Sequence, residues 1–282
     1  MQNLSVIVPF FNEENFLEIS VQRLLDNDIY NEIILVDDCS TDSSSSIAKK
    51  LELENEKVIY LKTQDNGGKG YAVASAINLL SSTHTVIHDA DLEYFPNDIL
   101  EMYEQSKLNT KSLILGSRFI GNKKRTNIYL RTFLANRIMS LFFSAVHFYR
   151  ISDVATCYKL VPTSFLKETN FKENGFSFEI EILSKFLKFN KSVLEVPISY
   201  EGRSYDEGKK IKTIDDRSLL IYHKILKRKS TVKITNPKNG KSLIAEVKSN
   251  RQKFSEFYNS IISKRIAEDL ELDLKEPYVE LI

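Results

Sequence analysis

Sulfur, imidazole and net charge are all scarce in this chain. Its 282 residues include two cysteines, three methionines, four histidines and no tryptophan, and the formal charge is +1. Cys39 and Cys157 lie far apart and fit no zinc or redox spacing, so they read as free thiols of a reducing compartment. His84, His88, His147 and His223 form no recognisable relay. Near-neutrality removes the global basic field that would favour a nucleic-acid partner. No run reaches the ~18 apolar residues of a membrane span; the nearest, Tyr129 to Tyr149, is interrupted by Arg131, Asn136, Arg137, Ser140 and His147. Met1 to Ser5 leads straight into a strand, without the basic region and apolar run of a secretory signal. These absences predict a cytoplasmic protein without a spanning helix. A content of 42% apolar and 27% charged residues is ample for a large globular core.

What is present is an alternation of strands and helices. Leu4 to Pro9, Glu32 to Val36, Val58 to Leu61, Val86 to Asp89 and Ser112 to Leu115 read as buried strands. Between them lie helices capped by Asn12, started by Thr41 and Asp42, and running from Tyr71 to Leu80. This pattern predicts an α/β fold, a mostly parallel sheet covered by helices on both faces. Ligands of such sheets bind at the carboxyl ends of the strands. Asp37, Asp38, Gly67 to Gly70, Asp89, Asp91, Ser117 and Arg118 all fall there.

The stretch His88-Asp89-Ala90-Asp91-Leu92-Glu93 is the focus. In an extended chain alternate side chains share a face, which would gather Asp89, Asp91 and Glu93. Crowded carboxylates invite a hard divalent cation, and Mg²⁺ favours one or two of them plus substrate phosphates. An acidic turn, with Asp98 capping the following helix, explains the same residues. Pro9-Phe10-Phe11-Asn12-Glu13 beside Asp37-Asp38 pairs an aromatic wall with carboxylates, which suits a nucleoside; helix capping accounts for Asn12, Thr41 and Asp42 but not for two adjacent aspartates. Asn66-Gly67-Gly68-Lys69-Gly70 is either a tight turn or a set of N–H groups, with Lys69, that meets a phosphate.

Taken together, Val8 to Glu13, Val36 to Asp42, Gly68-Lys69-Gly70, Asp89 to Leu92 and Gly116-Ser117-Arg118 resemble the signature blocks of family-2 glycosyltransferases. The similarity is to the branch of dolichol-phosphate mannosyltransferase and bacterial polyprenyl-phosphate glycosyltransferases, in order from about Leu4 to Tyr222. It implies a nucleotide-diphospho-sugar transferase (GT-A-like) fold, Mg²⁺ or Mn²⁺, and inversion at the anomeric carbon. By position, Pro9, Phe11, Glu13 and Asp38 would hold base and ribose, with Lys69 and Ala90 completing the donor site. Asp89, Asp91 and Glu93 would hold the metal and diphosphate. Glu93 stands where that branch often has Gln, and Cys39 replaces the usual Gly, so a left-handed turn there is strained or absent.

By the same resemblance Arg118, Arg131 and Arg203, joined by Lys209, would meet acceptor and donor phosphates, as guanidinium forks do. The bland alternative for Arg203 to Lys212 is a solvated basic loop. Asp153 would orient or deprotonate the acceptor, and Glu179 would be a supporting carboxylate. The apolar segment Tyr129 to Tyr149 suits either burial in the core, the default, or an interfacial surface for a lipid acceptor. After Ser230 the resemblance stops. Thr231 to Lys248 reads as a hairpin, Phe254 to Leu272 as an amphipathic helix and Tyr278 to Ile282 as a last strand. This appendage is weakly similar to part of a double-psi barrel, too short to close, and reads as a docking or dimerisation element.

The resulting expectation is a catalytic domain over 1–229 and a small α+β appendage over 230–282. Its activity is metal-dependent, inverting transfer of a hexose from a nucleotide-diphospho-sugar to a polyprenyl phosphate, with Asp91, Asp153 and Arg203 as the catalytic set. Contact with the inner face of the membrane stays open. Transfer to a glycan hydroxyl is the nearest alternative. A sugar nucleotidyltransferase or a non-catalytic nucleotide-sugar scaffold are the alternatives of other classes.

Overall fold

The computed structural model describes residues 2–126, 130–190, 192–202, 219–223, 225–227, 229–249, 260–272 and 279–281. Short apolar runs bounded by polar turns become strands, and amphipathic stretches between them become helices. In order these are β1 (Leu4–Phe10), α1 (Leu17–Leu25), β2 (Tyr30–Asp37), α2 (Ser44–Glu54), β3 (Val58–Lys62), α3 (Lys69–Ala76), β4 (His84–Ile87) and α4 (Asn97–Leu108). There follow β5 (Leu113–Ser117), β6 (Arg125–Thr126), α5 (Leu130–His147), β7 (Lys159–Pro162), α6 (Thr163–Glu168), α7 (Phe178–Phe189), β8 (Val193–Pro197) and β9 (Tyr200–Glu201).

Seven strands form one sheet in the order β3-β2-β1-β4-β7-β5-β8. β7 is antiparallel to β4 and β5, and the other pairings are parallel. Every residue of β1 is buried, as expected of a central strand covered on both faces. The chain moves outward from β1 through β2 and β3, then returns to β4 on the other side of β1. That reversal opens a crevice at the carboxyl ends of β1 and β4. β7 escapes a sequence reading because it is short and starts with a lysine. β8 stops at Pro197, and Tyr200, three residues on, pairs with Arg125 of β6.

Two local expectations change at the crevice. α1 starts at Leu17, and Asn12, at φ 53°, accepts the Thr41 amide through Oδ1 at 2.8 Å instead of capping that helix. β4 stops at Ile87, and the chain turns through Leu92 at φ 62°. Alternation therefore does not govern Asp89, Asp91 and Glu93.

The chain divides into two units, Met1–Gly202 and Arg203–Ile282. The second contains β10 (Leu220–His223), β11 (Thr231–Thr235), β12 (Ser242–Ser249), β13 (Ser260–Ile262), α8 (Lys264–Asp269) and β14 (Glu280–Leu281). Its strands order as β13-β10-β12-β11-β14 around a core that includes Ile221, Ile234, Val247 and Ile266. The expected division at 229/230 falls inside this unit, because β10 pairs with both β12 and β13. The β11–β12 hairpin is present as expected. Ser260–Ile262, expected to be helical, is a strand: Ile262 pairs with Ile221, so cross-strand packing outweighs the helical pattern.

Candidate active site

Pro9 lies within β1, opposite Val36 of β2, while Phe11 and Glu13 follow at the strand end, both half-buried. The two aspartates after β2 each hold a different turn. Asp37, fully buried, accepts from the Ser40 amide at 2.7 Å, from Tyr60 Oη at 2.9 Å and from Ser45 Oγ. Asp38 accepts the amides of Gly67 and Gly68 at 2.9 and 2.7 Å. Two carboxylates are thus used because two turns must be capped. The same bonds correct the phosphate-cradle reading of Gly67 and Gly68, whose N–H groups are taken by Asp38. Three residues on, Tyr71 N donates to Asn174 O at 3.1 Å. Gly68, at φ 92°, has no room for a side chain, since a Cβ would meet Asn174 O at 2.9 Å. Cys39 does adopt the left-handed turn, at φ 64°, so it is strained rather than absent.

Lys69 reaches from this loop into a buried row of charges. Its ammonium lies 2.7 Å from Asp89 Oδ1 and 2.6 Å from Glu179 Oε1, at the start of α7. Glu179 Oε2 lies 2.5 Å from the Nζ of Lys159, which opens β7. Burial disfavours charge on Lys69, but Asp89 and Glu179 outweigh it and hold the pKa well above the ordinary lysine value. Burial pushes Asp89 the other way, and the Lys69 ammonium more than offsets it, so its carboxyl stays below the usual range. Asp91, half-buried, accepts the Glu93 amide at 3.2 Å, and Glu93 Oε2 accepts the Tyr200 hydroxyl at 2.5 Å. Ala90 is buried between Asp89 and Asp91. The three acidic side chains are therefore divided: Asp89 faces Lys69, Glu93 faces Tyr200, and Asp91 lies in the turn between them. Among the described residues no group of three or more His, Cys, Asp or Glu gathers as a metal site. His88 is buried between Ser20 Oγ and Tyr158 Oη, each at 3.0 Å, and burial lowers its pKa to about 4, a neutral packing histidine.

Arg118 and Asp153 pair with each other. Arg118 Nε and Nη2 donate to Asp153 at 2.8 and 2.9 Å, and the Arg118 amide donates at 3.0 Å. Both residues are buried, and the guanidinium lies over Tyr200 at 5.0 Å and Phe119 at 5.5 Å. This corrects two sequence expectations: Asp153 is occupied as a structural anion, and the Arg118 fork is spent on it rather than turned to a phosphate. Arg203 and Lys209 lie outside the described residues, as does the side chain of Arg131. Phe119 links this cluster to α5, meeting Phe133 edge-on at 5.2 Å, with Arg137 at 5.9 Å from its ring. Leu134, Ile138, Leu141, Phe142 and Val146 recur at three- and four-residue steps and are all exposed, Leu141 at 73% and Phe142 at 72%. Ser140 and Phe143, on the opposite side, are buried. The default expectation of core burial for this segment is thus overturned for one whole face.

The family model for Glycosyl transferase family 2 matches residues 5–169, the span from β1 through α6 that builds this crevice. The chain belongs to glycosyl transferase family 2. It is a glycosyltransferase. Among curated relatives, the UDP-N-acetylglucosamine–dolichyl-phosphate N-acetylglucosaminyltransferase of Methanococcus voltae is 29% identical over 68% of this chain and 83% of that protein. The undecaprenyl-phosphate mannosyltransferase of Micrococcus luteus is 23% identical over 72% and 85%. Glucosyl-3-phosphoglycerate synthase from Mycobacterium tuberculosis, solved with Mn²⁺, UDP and glucosyl-3-phosphoglycerate, superimposes with a TM-score of 0.56 at 17% identity, over 73% of this chain and 74% of that one. At that identity the likeness is one of fold, and it bears out the α/β, GT-A-like expectation.

Two residues at the site were not singled out from sequence. Lys159 carried a signal, a lysine entering the apolar run Tyr158-Lys159-Leu160-Val161. Tyr200 carried none, because only the β6–β9 pairing brings it to Glu93 and Arg118.

Proposed function

We propose that this glycosyltransferase moves a hexose from a nucleotide-diphospho-sugar to a polyprenyl phosphate, with inversion, at a membrane surface. The observation that carries the reading is the exposed apolar face of α5, one aromatic contact away from Arg118. Among the described residues no helix is long and apolar enough to cross a membrane, so the face is suited to lying on one. The names of the M. voltae and M. luteus relatives, both acting on lipid phosphates, support the same acceptor.

Pro9, Phe11 and Glu13 flank the base and ribose, and Asp38 shapes that pocket by holding the Gly67–Gly68 turn. Lys69 supplies positive charge to the diphosphate. Asp91 is the residue that fits a divalent cation, since Mg²⁺ and Mn²⁺ take hard oxygen ligands and need few from the protein when phosphates complete the set. When bound, the cation stabilises the departing nucleoside diphosphate. The acceptor phosphate has a second pKa near ~6 and arrives ionised, so it attacks the anomeric carbon without a protein base. Arg131, Arg203 and Lys209 remain the groups assigned to hold it. Transfer to a glycan hydroxyl would require a base, and Asp153 is already bound by three N–H groups.

The test follows nucleoside diphosphate release from UDP- and GDP-sugars with Mg²⁺ or Mn²⁺, with and without a short polyprenyl phosphate. Release that depends on the lipid phosphate is expected, and Asp91→Asn should abolish it. Turnover supported by a glycan but not by the lipid phosphate would overturn the acceptor, and metal-dependent transfer by Asp91→Asn would remove that residue from the metal role.

A further inference from the structure

The charged row behind the crevice goes deeper than a donor site needs. Lys159 is completely buried; its ammonium meets only Glu179 and the carbonyl of Thr156 among the contacts described, and no solvent reaches it. Glu179 is itself buried and spans two lysines, one through each oxygen. Exposure rises along the row, from 0% for the Lys159 side chain, through 6% for Glu179 and 8% for Lys69, to 24% for Asp89 at the crevice. Two lysines and two carboxylates make the row neutral. Without Lys159, one ammonium would face two carboxylates in a poorly solvated place.

An apolar replacement of equal volume is often as stable as a buried ion pair, so stability alone does not account for the row. Orientation does. A lysine has four rotatable bonds and a compact charge, and it points reproducibly only when its ammonium is held. Lys69 is held from behind by Glu179, and Glu179 is held by Lys159.

We propose that Glu179 and Lys159 are positioning residues for the donor: Lys159 neutralises Glu179, and Glu179 fixes the Lys69 ammonium beside Asp89, where the donor diphosphate enters. This rests on the donor site proposed above. Neither residue touches the donor, and each acts through Lys69. Lys159 is needed only while Glu179 is charged. Removing both charges together should therefore do no more harm than removing Glu179 alone.

The experiment is a double-mutant cycle on the full chain, read by calorimetric titration of UDP and GDP with Mn²⁺ present. Glu179→Gln and Lys159→Met singly should each weaken binding of the preferred nucleotide by about tenfold, and the double variant should bind no more weakly than Glu179→Gln alone, because Lys159 acts only through Glu179. Stoichiometry separates the effect from misfolding, which lowers the number of sites and not their affinity. Additive losses in the double variant, or singles that bind like wild type, would overturn the inference. Should a single variant fail to fold, Glu179→Asp keeps the charge but withdraws it from Lys69. It should weaken binding by about tenfold with an unchanged melting temperature, and unchanged affinity would equally overturn the proposal. If wild type binds neither UDP nor GDP, the donor reading fails first, and that result is distinguishable from additivity.

Discussion

α5 and α7 are both rich in Leu, Ile and Phe, yet they meet opposite fates. α7 places Phe178, Ile182, Leu183, Phe186 and Leu187 on one side, and all five are buried in the core. α5 carries apolar residues around most of its circumference, so a single packed face cannot cover them. It buries Phe143 and leaves Leu134, Ile138, Leu141, Phe142 and Val146 outside. A contiguous exposed apolar face on an otherwise ordinary globular unit marks an interaction surface. Composition says that a helix is apolar; only the distribution of those residues around its axis says whether the protein has used them up.

The comparison breaks most readily on the buried side. Phe186, fully buried and 4.9 Å from the ring centre of Phe165, should cost ~3–5 kcal/mol as Phe186→Ala, read as a lowered urea midpoint. An α5 variant, Leu141→Glu with Phe142→Glu, should change stability by no more than ~0.5 kcal/mol, as exposed substitutions do. Its loss should fall on function instead. Sedimentation with anionic phospholipid vesicles should weaken at least about a hundredfold, because two large apolar side chains leave the interface. A large fall in urea midpoint for this variant would mean that the α5 face is covered within the protein.

A smaller effect sharpens the contrast by pH. Glu181, on the first turn of α7, accepts the amides of Lys172 and Glu173 at 2.9 Å and pairs with Lys185 at 3.1 Å. Burial raises its pKa, but those amides and the ammonium outweigh it, leaving the carboxyl below the ordinary value. A depressed carboxylate stabilises the folded state above its unfolded pKa, and that contribution is lost as the pH falls through the folded pKa. Glu181→Gln should therefore cost about 1 kcal/mol at pH 7 and less at pH 3, measured by urea denaturation at both. α5 contains no carboxylate, so vesicle binding should show no such acid limb of its own.

Much of the crevice was legible in the chain because it depends on local grammar. Strand, turn and helix follow one another in short cycles, and Asp38, Lys69, Asp89, Asp91 and Arg118 all lie at strand or helix ends where the alternation puts them. Their partners were not legible. Asp153 reads as a base from its position and proves to be the anion for Arg118, a pairing across 35 residues. Asp89, Asp91 and Glu93 read as one face only if the chain stays extended, and it turns after Ile87.

By itself, the order of residues determined the α/β alternation, the family and the strand ends where chemistry collects, because hydrophobic period and turn chemistry act over a few residues. Tertiary structure alone decided which charges neutralise one another and which apolar face stays in contact with solvent. Antiparallel β7 inserts between β4 and β5 and brings Lys159 behind Glu179, and α5 buries Ser140 and Phe143 while its opposite apolar face stays exposed. Those outcomes depend on contacts between distant segments, and no local pattern encodes them.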